Sequence, residues 1–296
     1  MNQMSWVSMT QIRNSLSLAQ AEGWTWPQAA AALRWTDIEV ALATGTARST
    51  IPRLLALRGA LGQVLDIAQD PNWSDHPSAG QMMFLEWPTR FSRDASYPKP
   101  FVLQADDQTG LLRLRLFGPL QAWADLLASH LVALLERGIA PADGWSSEVV
   151  LGCRISVRSL EGADFALGQQ ALLRFLTPLS MRQGKALQTS PEAVVRGIYR
   201  RAASMLAWQG VGCPMPPQQE QARIFSCLKE VSWAENELDQ WEHRSKRQKT
   251  RYAETGVKGV MRIEGDLEGI AHMLRIGEVV CAGGNGAYGC GRFVVI

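Results

Sequence analysis

The chain has 296 residues, which suits one large domain or two small ones, and 46% of them are apolar, which is enough for a sizeable core. Its formal net charge is only +2, so overall charge does not indicate a nucleic-acid-binding protein, and any such activity must come from local clusters. No apolar run approaches the roughly 20 residues that span a bilayer. The N-terminus lacks a basic segment followed by an apolar one, which predicts a cytoplasmic protein without a membrane partner.

Cysteine and histidine usage argues against a metal centre and against a disulfide framework. The five cysteines are odd in number, and no two of them have C-x-x-C spacing. The four histidines are widely spread, and no H-E-x-x-H motif occurs. We therefore expect reduced cysteines, no metal and no cofactor.

In chain order, the first half predicts a strand, a helix, strands, a helix and a strand. Two helices are predicted by their boundary residues: one has Pro52 near its first position, and one ends at Arg137 before Gly138. The predicted strands are residues 37–43, 82–87, 101–104, 111–117 and 149–157, and the predicted helices are 52–68 and 120–137. This is the βαββαβ order of a ferredoxin-like unit.

A second, similar order follows in the C-terminal half. The predicted strands are residues 171–179, 223–231, 257–264 and 288–295, and the predicted helices are 190–208, with Ser190 as N-cap, and 267–274. We therefore predict an α+β protein made of tandem ferredoxin-like (RRM-like) units. The units span 35–160 and 161–296, after an N-terminal helical extension, residues 1–34, in which we expect two short helices.

A glycine-rich stretch lies near the C-terminus. It contains G-N-G-A-Y-G at 284–289, which matches G-x-G-x-x-G, but it follows a predicted helix and leaves no room for an acidic residue about 20 positions downstream. A dinucleotide site is therefore excluded. The glycines Gly283, Gly284, Gly286 and Gly289 indicate a loop whose backbone N–H groups cradle phosphates. The alternative is a tight turn with no ligand.

A basic stretch, residues 241–251, precedes the predicted strand at 257–264. It carries His243, Arg244, Lys246, Arg247, Lys249 and Arg251. Lysine and arginine at this density suit a phosphate backbone, and the alternative is a solvated charged face. A weaker basic group is formed by Arg196, Arg200 and Arg201, which we expect on one helix face.

Together these stretches resemble the CRISPR-associated repeat-RNA endoribonucleases of the RAMP superfamily. The ending I-G-E-V-V-C-A-G-G-N-G-A-Y-G-C-G-R-F is similar to the family's L-G-E and G-K-G-x-x-F-G-L-G-R-Y, and W-E-H-R-S-K-R-Q is similar to its W-x-R-Y-S-x-R-Q. R-F-L-T-P-L matches its F-x-T-P-L strand, while P-F-V-L, L-F-G and L-R-G-A-L-G-Q-V-L match looser first-half signatures. The resemblance covers residues 37–296. A helix-turn-helix interpretation of the segment before it, as in a transcription regulator, explains none of the C-terminal motifs.

The resemblance implies metal-independent cleavage of precursor CRISPR RNA by the neighbouring 2′-hydroxyl. It also implies that the partners are the repeat RNA stem-loop and other subunits of an effector complex. The chain departs from the family at Asn285, where a lysine is common, at His243 and Arg244, and in having no histidine near the first helix. Members of type IV systems use arginines instead, and this chain is similar to them in that respect. The catalytic candidates are His243, Arg48, Arg58 and Arg292, and the alternative is a non-cleaving RAMP subunit that only holds guide RNA.

Overall fold

The fold is built on two four-stranded antiparallel sheets, one in each half of the chain. The computed structural model describes residues 23–43, 51–65, 79–84, 88–89, 92–106, 109–139, 147–183, 186–211, 217–245 and 250–296. No described helix is long and apolar enough to cross a membrane.

The first sheet contains β1 (Arg34–Leu42), β4 (Phe101–Asp106), β5 (Leu111–Phe117) and β6 (Val150–Ser159). Its order is β4-β5-β1-β6, which places the first strand at the centre and the last strand at an edge. Helices α2 (Ile51–Val64) and α4 (Ala124–Arg137) complete the βαββαβ unit. The smaller elements are α1 (Trp26–Ala32), α3 (Ala79–Phe84), β2 (Pro88–Thr89), β3 (Ser92–Ser96) and a 3₁₀ turn (Gly118–Trp123).

The second sheet repeats this topology. Its strands are β7 (Gln170–Leu179), β10 (Leu228–Ser245), β11 (Thr250–Gly265) and β12 (Phe293–Val295), in the order β10-β11-β7-β12. The helices are α5 (Pro191–Ala207), α6 (Pro217–Cys227) and α7 (Glu268–Val280), and the smaller elements are β8 (Arg182–Gln183), β9 (Ala186–Leu187) and a 3₁₀ turn (Gly286–Tyr288). The tandem ferredoxin-like α+β fold is therefore confirmed.

Helix ends lie where the sequence predicts caps. The hydroxyl of Ser190 accepts a hydrogen bond from the backbone N–H of Ala193 at the start of α5. Gly138 follows α4 with φ of 81°, a backbone conformation that glycine adopts without a steric penalty. In the N-terminal extension, α1 has a capping box between Thr25 and Gln28, and it matches the second of the two predicted helices. The first one lies outside the described residues.

Two predicted strands differ from the structure. The predicted strand at 82–87 is wrong, because Met82 and Met83 are both fully buried on helix α3, and a short apolar run fits a helix or a strand equally well. The predicted strand at 223–231 is half wrong, since α6 continues to Cys227. A tertiary contact holds that helix: Glu220 is fully buried, pairs with Arg223 and accepts a hydrogen bond from the indole N–H of Trp26.

Helix α7 is longer and β12 shorter than predicted. The helix runs through Gly277 to Val280, and a side chain at Gly277 would meet Ile198 and Phe293 at under 3 Å, so the glycine permits close packing. Strand β12 begins only at Phe293, because the residues before it form the glycine-rich loop.

The two halves of the chain are in direct contact. Arg115 on β5 forms an ion pair with Asp37 on β1 and donates a second hydrogen bond to the carbonyl oxygen of Val279 at the end of α7. Trp26 of the N-terminal extension packs against Tyr199 of α5 with ring centroids 6.1 Å apart. The predicted boundary near residue 160 lies in the connection between β6 and β7, and the division into domains stays a prediction.

Candidate nucleic-acid interface

The glycine-rich loop, residues 281–292, connects α7 to β12 and folds back on itself. The N–H of Ala282 donates to the carbonyl oxygen of Gly291 at 2.8 Å, and the N–H of Gly291 donates to that of Pro178 at 2.9 Å. Gly283, Gly289 and Gly291 all have positive φ, which side chains adopt only with strain. Cys281 shares this conformation although it is not a glycine, with φ of 65°.

The threonine of the R-F-L-T-P-L strand holds the loop in place. The Thr177 hydroxyl donates to the carbonyl oxygen of Gly289 at 2.6 Å and accepts from the N–H of Arg292 at 2.8 Å. Strand β7 and the glycine-rich loop are therefore one structural unit, although more than a hundred residues separate them in the sequence.

The glycines of the loop differ in what surrounds them. A Cβ atom at Gly286 would lie 2.8 Å from a guanidinium nitrogen of Arg201, and one at Gly289 would lie 2.7 Å from the carbonyl oxygen of Leu103. A Cβ atom at Gly283 would lie 3.0 Å from Leu179 and Met181. Gly284 is exposed, and a Cβ atom there would meet nothing within 4 Å. Three of the four predicted binding glycines thus accommodate the protein's own atoms, and Gly284 leaves space for a ligand.

Arg201 lies beneath this loop and not on the surface. Its side chain is 4% exposed, its Nε donates to the carbonyl oxygen of Val280, and burial lowers its pKa to about 10. The prediction that Arg196, Arg200 and Arg201 share one face is therefore wrong for Arg201, because neighbouring helix residues lie about 100° apart. Arg200 is exposed, and Arg196 is exposed with its guanidinium carbon 5.3 Å from the ring centroid of Phe225.

Arg58 connects helix α2 of the first half to the glycine-rich loop. Its guanidinium carbon lies 5.1 Å from the ring centroid of Phe84 and 5.6 Å from that of Tyr288. The planar cation is thus near two aromatic faces, an arrangement that a lysine reproduces poorly. Comparison of motifs did not identify Tyr288 as a candidate site residue, although it lies in the G-N-G-A-Y-G stretch. An aromatic residue in a loop more often packs against the core than takes part in catalysis.

Tyr288 and its neighbours lie in a half-buried, partly acidic environment. Burial, and next the nearby Glu254 carboxylate, raise the pKa of the Tyr288 hydroxyl, so it stays protonated at neutral pH. The Asn285 amide donates to Glu254 at 3.3 Å. Burial likewise raises the pKa of the Cys290 thiol, which excludes a reactive thiolate.

The described residues of the basic stretch lie at the far end of a long hairpin. Strands β10 and β11 pair, with two register shifts near their start, as far as Ser245 opposite Thr250. This pairing places His243 opposite Tyr252 and Arg244 opposite Arg251. At the base of this tip, Trp241 is buried in a small cluster with Ile51 of α2 and Cys290 of the glycine-rich loop. Lys246, Arg247 and Lys249 lie outside the described residues.

The predicted catalytic residues are only partly brought together. Arg58 contacts the glycine-rich loop, Arg292 ends it, and the backbone of His243 lies two residues beyond the anchoring Trp241. Arg48 lies outside the described residues. Within the described part of the chain, no three His, Cys, Asp or Glu side chains form a group that would hold a metal ion.

The structure thus combines two ferredoxin-like units with a long hairpin and a braced glycine-rich loop in the second unit. The sequence profile of the CRISPR-associated endoribonuclease Cas6 family matches residues 173–293, which include all three C-terminal motifs. The resemblance predicted from the motifs is therefore confirmed over residues 173–293 of the chain. No curated protein sequence matches the chain.

Solved structures share the fold at low sequence identity. A product complex of Cas6 (TTHA0078) has a TM-score of 0.52 and 15% identity, over 89% of this chain and 99% of that one. The substrate-mimic complex of the same protein has a TM-score of 0.50 and 16% identity, with the same coverage. A partial Cas6-RT-Cas1–Cas2 complex has a TM-score of 0.50 and 10% identity, over 89% of this chain and 46% of that one.

Proposed function

We propose that this protein is a metal-independent endoribonuclease that binds CRISPR repeat RNA and cuts the precursor by attack of the 2′-hydroxyl, leaving a 2′,3′-cyclic phosphate. The observation that carries the proposal is the joining of the family's motifs in space. The T-P-L strand braces the glycine-rich loop, and Trp241 anchors the basic hairpin beside that loop. The positions of these three motifs in the sequence do not by themselves require that they touch in the structure.

The hairpin tip supplies the main RNA-binding charge in this proposal. The backbone pairing places Arg244 opposite Arg251, and like charges placed opposite each other destabilise a sheet. The anionic phosphates of a bound RNA offset that repulsion, and Lys246, Arg247 and Lys249 add further positive charge for RNA phosphates. The exposed Arg196 and Arg200 extend the basic surface, and the open backbone at Gly284 accepts a phosphate.

Cleavage by a neighbouring 2′-hydroxyl needs positioning, proton transfer and positive charge on the phosphate. Arg58, held against Phe84 and Tyr288, and Arg292, fixed through its N–H, are the cations that we assign to the crowded phosphate. Arg48 is a third cation candidate, and His243 is the histidine candidate for proton transfer. The raised pKa of Tyr288 suits a hydrogen-bond donor to the departing oxygen and excludes it as the base.

We further propose that the protein stays bound to the mature guide RNA with other CRISPR subunits in the cytoplasm. A solved assembly described as a partial Cas6-RT-Cas1–Cas2 complex contains a chain of which this fold matches 46%, which supports a role for such units within larger assemblies. Pull-down of the protein with co-purifying repeat RNA and partner subunits tests this part separately from cleavage.

A second candidate function is a RAMP subunit that binds guide RNA without cutting it. Two departures from the family favour it: no histidine precedes His76, and Asn285 binds Glu254 where the family commonly has a lysine. The fold, the hairpin and the loop serve both functions equally.

Cleavage of a cognate repeat RNA in EDTA decides between the two functions. We expect cutting without added metal, a 2′,3′-cyclic phosphate on the upstream product, and no cutting of a repeat with one 2′-deoxy sugar at the scissile position. The deoxy substrate must still bind with unchanged affinity. Cleavage that requires magnesium or tolerates the deoxy sugar contradicts the mechanism, and tight binding without cleavage supports the second candidate.

A further inference from the structure

The first sheet carries a row of polar and charged side chains on the face that contacts the glycine-rich loop. Four residues, one from each strand, are direct cross-strand partners along this row: Gln104 on β4, Arg113 on β5, Glu39 on β1 and Arg154 on β6. Cross-strand partners share a face of the sheet. The amide of Gln104 donates to the thiol sulfur of Cys281, the first residue of the glycine-rich loop, at 3.5 Å. The row therefore begins at this loop and crosses all four strands, a distance of about 14 Å at the usual strand spacing.

The row becomes more exposed with distance from the loop. Gln104 is 4% exposed, whereas the side chain of Arg113 is 27% exposed and that of Arg154 is 67% exposed. Arg158 lies four residues beyond Arg154 on β6, and hence on the same face, with its side chain 43% exposed. The two arginines of β6 are thus presented to solvent at the edge of the sheet.

Positive charge is in excess along the row, because three arginines approach one carboxylate. Glu39 accepts a hydrogen bond from Arg113 at 2.6 Å, pairs with Arg154, and lies 3.8 Å from a guanidinium nitrogen of Arg158. Burial acts to raise the pKa of Glu39, but the hydrogen bonds from Arg154 and Arg113 outweigh it and lower the pKa, so the carboxylate is ionised at neutral pH. Three cations against one anion leave these four side chains with a surplus of two positive charges.

We propose that this row is a second RNA-binding surface, which holds the single-stranded segment that leaves the scissile bond of the repeat RNA. The inference rests on the proposed function, because that function brings the scissile bond to the glycine-rich loop, where the row starts. Positively charged grooves bind single strands through the phosphate backbone, and the planar guanidinium of arginine matches phosphate oxygens. Glu39 holds Arg113 and Arg154 in place, which reduces the side-chain entropy that is lost when a phosphate binds.

RNAs with and without a single-stranded flank separate this surface from the rest of the site. The full repeat, with a 2′-deoxy sugar at the scissile position to prevent cleavage, is compared with the same RNA from which each flank is removed in turn. Arg154→Gln combined with Arg158→Gln should weaken binding of the full repeat at least tenfold. Its affinity for the RNA that lacks the bound flank should stay within twofold of the parent's. The slope of log affinity against log salt should fall by about 1.4 for the full repeat, which corresponds to two contacts with a single strand.

Two controls exclude effects of total charge and of folding. Arg137→Gln combined with Arg262→Gln removes two exposed arginines, at the end of α4 and on β11, and should leave the affinity for both RNAs unchanged. In the unchanged protein, uncharged methylphosphonates in place of the flank phosphates should weaken binding as much as the double variant does. This second measurement needs no substitution in the protein, so it decides the matter even if the double variant does not fold.

The outcomes distinguish this surface from the proposed function. Equal losses of affinity for the RNAs with and without the flank overturn the surface alone, as does a folded double variant that binds the full repeat like the parent. Tight binding by the parent that methylphosphonates leave unchanged also overturns it. An unchanged protein that binds no repeat RNA overturns the proposed function, and the surface with it.

Discussion

At the scale of single residues, glycines of the glycine-rich loop have two different roles that cannot be distinguished in the sequence: one makes room for a neighbouring side chain, and the other leaves the backbone open to solvent. Gly286 leaves room for the guanidinium of the buried Arg201, whereas Gly284 faces open space. Neither has positive φ, so backbone strain does not complicate a substitution at either position. The sequence predicted that these glycines matter, but not which of them serves the fold, because that depends on an arginine some 85 residues earlier.

The pair Gly284→Val and Gly286→Val tests this division. Gly286→Val should lower the free energy of unfolding by about 1–3 kcal/mol, because its side chain overpacks against Arg201. Gly284→Val should leave the melting temperature within about one degree of the parent, because surface changes without lost contacts have small effects. It should nevertheless weaken RNA binding at least tenfold if a phosphate approaches there. A folded Gly284→Val protein with parental affinity means that the loop is only a turn.

Arg58 allows a second test at this scale. Arg58→Lys retains the charge but loses the planar group that lies near the rings of Phe84 and Tyr288. We expect cleavage to fall at least tenfold while RNA affinity changes less than threefold, measured by single-turnover kinetics and by equilibrium binding. Equal losses in the two measurements indicate a binding role and not a catalytic one.

At the scale of secondary-structure elements, the sequence correctly predicted the helices and strands whose hydrophobic periodicity and boundary residues indicate the same element. The β10–β11 hairpin shows where such prediction ends. Its C-terminal strand was predicted from the alternation in V-K-G-V-M-R-I-E, but β10 begins with a helix boundary at Cys227 that depends on the buried Glu220–Arg223–Trp26 contact. No local pattern encodes a contact between residues 194 positions apart. The motif W-E-H-R-S-K-R-Q was found in the sequence without any indication that its first residues pair with a second strand.

The hairpin tip gives the prediction at this scale. Replacing Arg244, Lys246 and Arg247 together by alanine should weaken binding of repeat RNA and lower the slope of log affinity against log salt by about two to three units. Melting temperature should be retained, because Trp241 and the strand pairing anchor the hairpin below its tip. Replacing the exposed acidic residues Glu235 and Glu237 by alanine is the matched control and should not lower the slope. An unchanged slope in the triple variant means that the tip is only a solvated face.

At the scale of the whole molecule, the candidate site requires both halves of the chain. Arg58 comes from the first half, whereas the loop and the hairpin come from the second, so their relative position depends on contacts between the halves. Arg115 is one such contact, since it is buried, pairs with Asp37 and donates to the carbonyl oxygen of Val279. Sequence patterns predicted two units but not how they dock, because the docking contacts join residues far apart in the sequence, such as Arg115 and Val279.

Removal of that contact should therefore affect both stability and catalysis. Arg115→Met leaves the buried Asp37 without its main partner and should cost about 3–5 kcal/mol of folding stability. Asp37→Asn combined with Arg115→Met should recover part of this loss, as measured by denaturant unfolding. If the halves dock through Arg115, the double variant should fold and bind RNA but cleave it more slowly. Full activity in the folded double variant shows that other contacts set the docking.

The brace between Thr177 and the glycine-rich loop has a consequence for how new RNA specificities could be engineered. A loop transplanted from a relative brings its own carbonyl and N–H positions, and these must meet a hydroxyl on β7 at hydrogen-bond distance. Exchange of the C-terminal loop alone, into a host that lacks this threonine, leaves two partly buried backbone groups unpaired and the loop free to adopt other conformations. The exchangeable cassette is therefore discontinuous: it consists of the T-P-L strand and the final residues together, and chimaeras should be designed with both.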